Sequence, residues 1–150
     1  MLKEGDQAPD IHLRTDSGEE FRLADLKGKR VVLYFYPKAN TPGCTVEACG
    51  FRDDIQAFDK KGAVVVGVSP DKPGSQAKFK TRYSLPFALL ADEEKAAAQA
   101  YGVWKEKSMY GKKVMGIERS TFVIGPDGTI ERIYGKVKAK GHAAEVLENL

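Results

Sequence analysis

Histidine and cysteine are scarce in this chain, two of each among 150 residues, and the scarcity narrows what the protein can do. A structural zinc site normally draws four ligands, chiefly from these residue types. His12 and His142 stand near opposite ends without ligand spacing, so both are expected at the surface and neither on a metal. No cofactor is implied. Long apolar runs are also missing: the longest, Val31-Val32-Leu33-Tyr34-Phe35-Tyr36, is far too short for a helix across a bilayer. The opening Met1-Leu2-Lys3-Glu4-Gly5-Asp6 has no apolar h-region and is no secretory signal, so a cytoplasmic protein with no membrane partner is expected. Nor does one sign of charge dominate, since 24 Lys and Arg against 21 Asp and Glu leave a net charge of +3. The two signs interleave, without the basic stripe and stacking aromatics of a nucleic-acid binder. The densest basic stretches, 105–113 and 136–140, read as solvated loops or faces.

What is present fits one globular α/β domain spanning 1–150, with no linker or repeat. Segments 11–15 and 20–23 flank the turn signal Asp16-Ser17-Gly18 as two short strands. The run 31–36, ended by Pro37, lacks polar alternation and suits a strand buried on both faces. Over 44–61 the period changes: Ala48, Phe51, Ile55 and Phe58 fall on one face of a helix that Gly62 can stop. A second buried strand follows over 63–68, completing a βαβ unit with parallel pairing. Beyond it the pattern gives a helix over 73–83 and a strand over 87–91. A helix over 93–101 follows, capped by Asp92, with Gly102 at its end. Strands over 121–124 and 129–134 form a hairpin around Gly125-Pro126-Asp127-Gly128, and a helix over 142–150 closes the chain. The expected architecture is a mixed sheet with helices on its faces.

Cys44 and Cys49 are the residues with chemistry to explain. A structural disulfide is uncommon in the cytoplasm, so two nearby thiols suggest redox chemistry. The segment Pro37-Lys38-Ala39-Asn40-Thr41-Pro42-Gly43-Cys44 leaves the carboxyl end of a buried strand and enters a helix. Open α/β sheets place ligands there, and the free N–H groups and dipole of a helix N-terminus favour an anion. A cysteine so placed is expected to be held as the reactive thiolate. Thr41 can point its hydroxyl at the sulfur or at an oxygen bound beside it, while Pro37 and Pro42 stiffen the loop. A free cysteine is otherwise most often a small buried hydrophobe, and that reading stands beside the reactive one.

The string Pro-x-x-x-Thr-x-x-Cys at Pro37, Thr41 and Cys44 resembles the active-site motif of peroxiredoxins. The longer Thr41-Pro42-Gly43-Cys44-Thr45-Val46-Glu47-Ala48-Cys49, with Phe51-Arg52-Asp53, is similar to the bacterioferritin comigratory protein, or peroxiredoxin Q, branch. The similarity runs from Gly5-Asp6-Gln7-Ala8-Pro9 to Gly141-His142-Ala143-Ala144. It implies a thioredoxin-like fold, Cys44 as the peroxidatic cysteine and Cys49 as the resolving one. It also implies a site arginine at Arg119, a hydroperoxide substrate, thioredoxin or a similar dithiol as reductant, and a monomer. Some members of the branch lack the second cysteine. By itself Arg119, at the start of a strand, reads more readily as half of a surface ion pair, and only the resemblance makes it a site residue. Glu47 either orients an arginine or sits on a solvated helix face. Two other activities remain open. One is a thiol–disulfide oxidoreductase, although its usual Cys-x-x-Cys spacing is absent; the other is a redox-switched binding protein or chaperone. With both cysteines in one regular helix, five positions rotate them by about 140° and separate their Cα atoms by roughly 9 Å. A disulfide needs less than about 7 Å, so forming one requires the helix to unwind, and Gly50 weakens it at that point.

Overall fold

The computed structural model describes the backbone of all 150 residues and every side chain except that of Met109. The two apolar runs form its centre. Strand β3 (Arg30–Phe35) pairs in parallel with β4 (Ala63–Ser69), from Arg30 opposite Ala63 to Phe35 opposite Val68. Strands β1 (His12–Thr15), β2 (Glu20–Arg22), β5 (Ala88–Ala91), β8 (Ser120–Ile124) and β9 (Ile130–Tyr134) complete a seven-stranded sheet ordered β2-β1-β5-β4-β3-β8-β9. Only β3–β4 and β4–β5 pair in parallel, so the sheet is mixed, as expected.

Alternation along β3 divides the core. Val31, Leu33 and Phe35 face one apolar cluster with Val66, Val68, Leu90 and Phe122. Val32, Tyr34 and Tyr36 face the other, with Cys44, Phe51, Phe58 and Phe79. Both faces are covered, which explains why this strand carries no polar alternation. Helices α1 (Pro42–Asp53), α2 (Ile55–Lys60), α3 (Pro73–Tyr83) and α5 (His142–Glu148) bury apolar residues in the second cluster. Helix α4 (Ala96–Ala100) and the 3-10 turn Leu23–Leu26 pack on the first. Among the described residues no helix is long and apolar enough to cross a membrane.

Three segments differ from expectation. The helix over 44–61 begins earlier, at Pro42, and breaks at Asp54, whose ψ of 8° leaves helical geometry. Adjacent Asp53 and Asp54 put negative charge where the dipole of α1 disfavours it. The helix expected over 93–101 starts only at Ala96, because Lys95 is left-handed with φ 59°. Asp92 still caps it, its carboxylate accepting from the N–H groups of Ala97 and Ala98. The basic stretch 105–113, expected as a solvated loop or face, is no loop but most of a separate antiparallel hairpin, β6 (Trp104–Met109) and β7 (Lys112–Ile117), on which Lys112 and Lys113 are exposed. Its two-residue turn places Tyr110 and Gly111 at positive φ, the geometry that tight hairpins require. Tyrosine rarely occupies that conformation, so the turn carried no recognisable signal.

Candidate active site

The loop from β3 to α1 is held from several sides. Ala39 donates its N–H to Asp71 Oδ2 at 2.7 Å, and Ser69 donates its hydroxyl to the same oxygen at 2.6 Å. Asn40 adopts φ 64°, a conformation asparagine tolerates better than most residues. Thr41 is the N-cap of α1 and Pro42 opens the helix, where its missing N–H costs nothing. The first helical bonds run from Thr45, whose N–H and hydroxyl both donate to the Thr41 carbonyl. The N–H groups of Gly43 and Cys44 precede that bond and face the region in front of the helix.

Cys44 is buried, 1% exposed, in the first turn of α1. Arg119 reaches it from the connection between β7 and β8, with Nη2 donating to Sγ at 3.4 Å. Nη1 of the same guanidinium donates to Glu47 Oε1 at 2.7 Å. Burial opposes the charge of Arg119, but Glu47 and Cys44 outweigh it and raise its pKa. Glu47 therefore lies on no solvated face: it has no exposure, and its Oε2 has no hydrogen-bond partner among the described residues. Burial pushes its pKa up to about 7 against the opposing pull of Arg119. Arg119 is thus half of an ion pair whose carboxylate is fully buried while its own side chain keeps 16% exposure, and its backbone carbonyl accepts from Val137 N–H at 2.9 Å.

The other expected site residues fall nearby or apart. Pro37 and Thr41 lie in the same loop, but the Thr41 hydroxyl donates to the Lys38 carbonyl at 2.7 Å rather than to sulfur. Its lone pairs stay free to accept from a hydroxyl brought to the site. Cys49 is on α1, partly exposed, and both thiols are free. His12 is exposed, as expected. His142 is not: it is 2% exposed, with Nε2 2.7 Å from Thr121 Oγ1 and Nδ1 3.0 Å from Glu145 Oε1. Its ring stands edge-on to Phe51 with centroids 5.9 Å apart, and burial lowers its pKa. Its partners come from β8 and from one turn along α5, a placement that sequence spacing does not reveal. Asp71 went unrecognised for the same reason, since its contact with Ala39 spans 32 positions.

The AhpC/TSA family model matches residues 4–133. The chain belongs to the AhpC/TSA family. Within it the relatives are peroxiredoxins. Peroxiredoxin Bcp of Bacillus subtilis is 52% identical over 97% of this chain and 93% of its own length. Peroxiredoxin Bcp of Escherichia coli is 46% identical over 97% and 94%. Among solved structures, a cysteine-to-serine mutant of Xylella fastidiosa PrxQ superimposes with a TM-score of 0.94 at 37% identity, covering 99% of this chain and 95% of that one. A Xanthomonas campestris bacterioferritin comigratory protein, solved as trapped intermediate and ligand complexes in connection with its alkyl peroxide reduction activity, gives 0.89 at 42% identity, covering 93% and 88%. The expected peroxiredoxin fold is therefore the observed one.

Proposed function

We propose that this peroxiredoxin reduces hydrogen peroxide and alkyl hydroperoxides at Cys44 and regenerates itself through Cys49. The observation that carries the reading is the placement of Arg119 Nη2 3.4 Å from the Cys44 sulfur, at the N-terminus of a helix. A guanidinium and a helix dipole both favour the thiolate, which is the nucleophile.

The thiolate attacks the terminal oxygen of ROOH, the O–O bond breaks, and ROH leaves once its oxygen is protonated, so that Cys44 becomes a sulfenic acid. Charge moves from sulfur to the departing oxygen along one line. Arg119 and the N–H groups of Gly43 and Cys44 stand at its start, and the free lone pairs of Thr41 can accept the hydrogen of the peroxide. Glu47 keeps the guanidinium turned toward sulfur, and Pro37 limits the freedom of the loop. Cys49 then attacks the sulfenic sulfur, water leaves, and a Cys44–Cys49 disulfide results. An external dithiol of the thioredoxin type returns both thiols, which suits a cytoplasmic setting. The chain acts as a monomer in this reading, with each half-reaction completed on one polypeptide.

A thioredoxin-coupled assay tests the proposal with hydrogen peroxide and an alkyl hydroperoxide. Cys44→Ser should remove turnover and leave thermal stability within roughly 1 kcal/mol, because the hydroxyl is nearly the same size but a poor nucleophile. Appreciable peroxide consumption by that variant would falsify the assignment.

A further inference from the structure

The β6–β7 hairpin stands outside the main sheet, yet two of its lysines face the segment that delivers Arg119. Lys105 and Lys107 are two residues apart on β6 and so lie on one face. Lys105 Nζ meets Glu118 Oε2 at 2.8 Å. Lys107 reaches diagonally across β7 and donates from Nζ to the Ile117 carbonyl. Its path crosses Gly116, where an added Cβ would stand 3.3 Å from Lys107 Cδ and 3.6 Å from Cε. A side chain at position 116 would therefore crowd the lysine. Both ammonium groups thus grip residues 117–118, immediately before Arg119. Lys107 is also half-buried and electrically coupled to the site. Burial lowers its pKa, Arg119 lowers it further, and Glu118 and Cys44 act in the opposite direction.

We propose that Lys107 is a positioning residue for the peroxide step. Its ammonium ties the Ile117 carbonyl to the hairpin and so holds the connection that carries Arg119 against Cys44. The inference rests on Cys44 being the nucleophile. Lys107 need not touch the peroxide; it acts through Arg119 and through the field at sulfur.

The test is the second-order rate of Cys44 oxidation by hydrogen peroxide in a single turnover, quenched with an alkylating agent and read by mass spectrometry. Wild type is compared with Lys107→Met, Lys107→Arg, Gly116→Ala and the exposed control Lys113→Met. Lys107→Met keeps an unbranched stem over Gly116 and removes only the ammonium, so it should slow oxidation about tenfold, the order for losing one hydrogen bond to a charged group. Lys107→Arg should restore most of the rate and Gly116→Ala should slow it, whereas Lys113→Met should match wild type. The subsequent disulfide step should be unchanged in all four variants. Equal rates for wild type and Lys107→Met overturn the proposal. So does equal slowing by Lys107→Met and Lys107→Arg, because charge would then not matter. Should Lys107→Met fold poorly, Gly116→Ala decides instead: a wild-type rate in that variant overturns the proposal. Slow oxidation of wild-type Cys44 would contradict the peroxidase reading itself, and the two failures are thus distinguishable.

Discussion

Gly43 lies directly under the guanidinium of Arg119, and a Cβ built there would stand 3.1 Å from Nη2. Glycine at this position lets the arginine approach sulfur, so Gly43→Ala should push Nη2 away and slow the peroxide step several-fold. Arg119→Met, which removes both donors, should slow it by about a hundredfold or more, the scale of losing one preorganised donor to developing charge. Stopped-flow oxidation of the two variants checks both, and an unchanged rate in Arg119→Met would remove the arginine from the site. Glu47 makes a separate prediction. Its pKa is raised from an ordinary carboxylate value to about 7, so the folded protein holds a proton that the unfolded chain has released. That contribution to stability is full below about pH 4.5 and is lost as pH rises through about 7. Relative to Glu47→Gln, wild type should therefore lose on the order of a few kcal/mol between those limits in denaturant titrations. Parallel pH profiles for the two proteins would show that Glu47 is ionised throughout. The placement of Pro37, Thr41 and Cys44 in one strand-to-helix segment was legible in the sequence because their spacing is local. The burial of Glu47 was not, since its partner Arg119 lies 72 positions away.

Helix α1 carries both thiols, and its regular geometry keeps them apart. Cys44 and Cys49 both lie within Pro42–Asp53, so their Cα atoms stand roughly 9 Å apart, beyond the reach of about 7 Å for a disulfide. Oxidation must open the turn between them. Gly50 is where the helix is cheapest to open, by about 1 kcal/mol relative to alanine. It is also where α1 meets α5, since an added Cβ would contact Ala143 Cβ at 3.4 Å. Gly50→Ala should therefore stiffen α1 and tighten its packing on α5 at once. Disulfide formation should slow several-fold, and excess peroxide should overoxidise Cys44 more readily. Amide exchange locates the opening: residues 45–52 should lose protection in the disulfide form while Phe58 keeps it. Equal protection in both forms would end the local-unfolding account. At this scale the apolar runs and the periodicity of Ala48, Phe51 and Phe58 made the βαβ unit readable. The β6–β7 hairpin was not readable, because its strands are lysine-rich and its turn uses Tyr110 rather than the usual asparagine or aspartate.

Across the whole molecule, two apolar layers lie on either side of the seven-stranded sheet. Cys44 belongs to one of those layers, with Tyr34 and Phe51, so the proposed nucleophile is set into the core while Cys49, the proposed resolving thiol, stays partly exposed. The sheet strands should accordingly exchange alike in reduced and oxidised protein, with the change confined to α1 and the part of α5 packed on it. Fold class was readable from the order of elements, whereas the arrangement of side chains around sulfur depended on contacts between distant elements. In the proposed reaction peroxide oxidises Cys44 alone, and Cys49 then attacks the resulting sulfenic acid. Treating the reduced protein with one equivalent of hydrogen peroxide and mapping the products by peptide mass spectrometry tests it most directly. Wild type should yield a Cys44–Cys49 disulfide, and Cys49→Ser a sulfenic acid confined to Cys44. A sulfenic acid on Cys49 in Cys44→Ser, formed as fast as the wild-type disulfide, would contradict it.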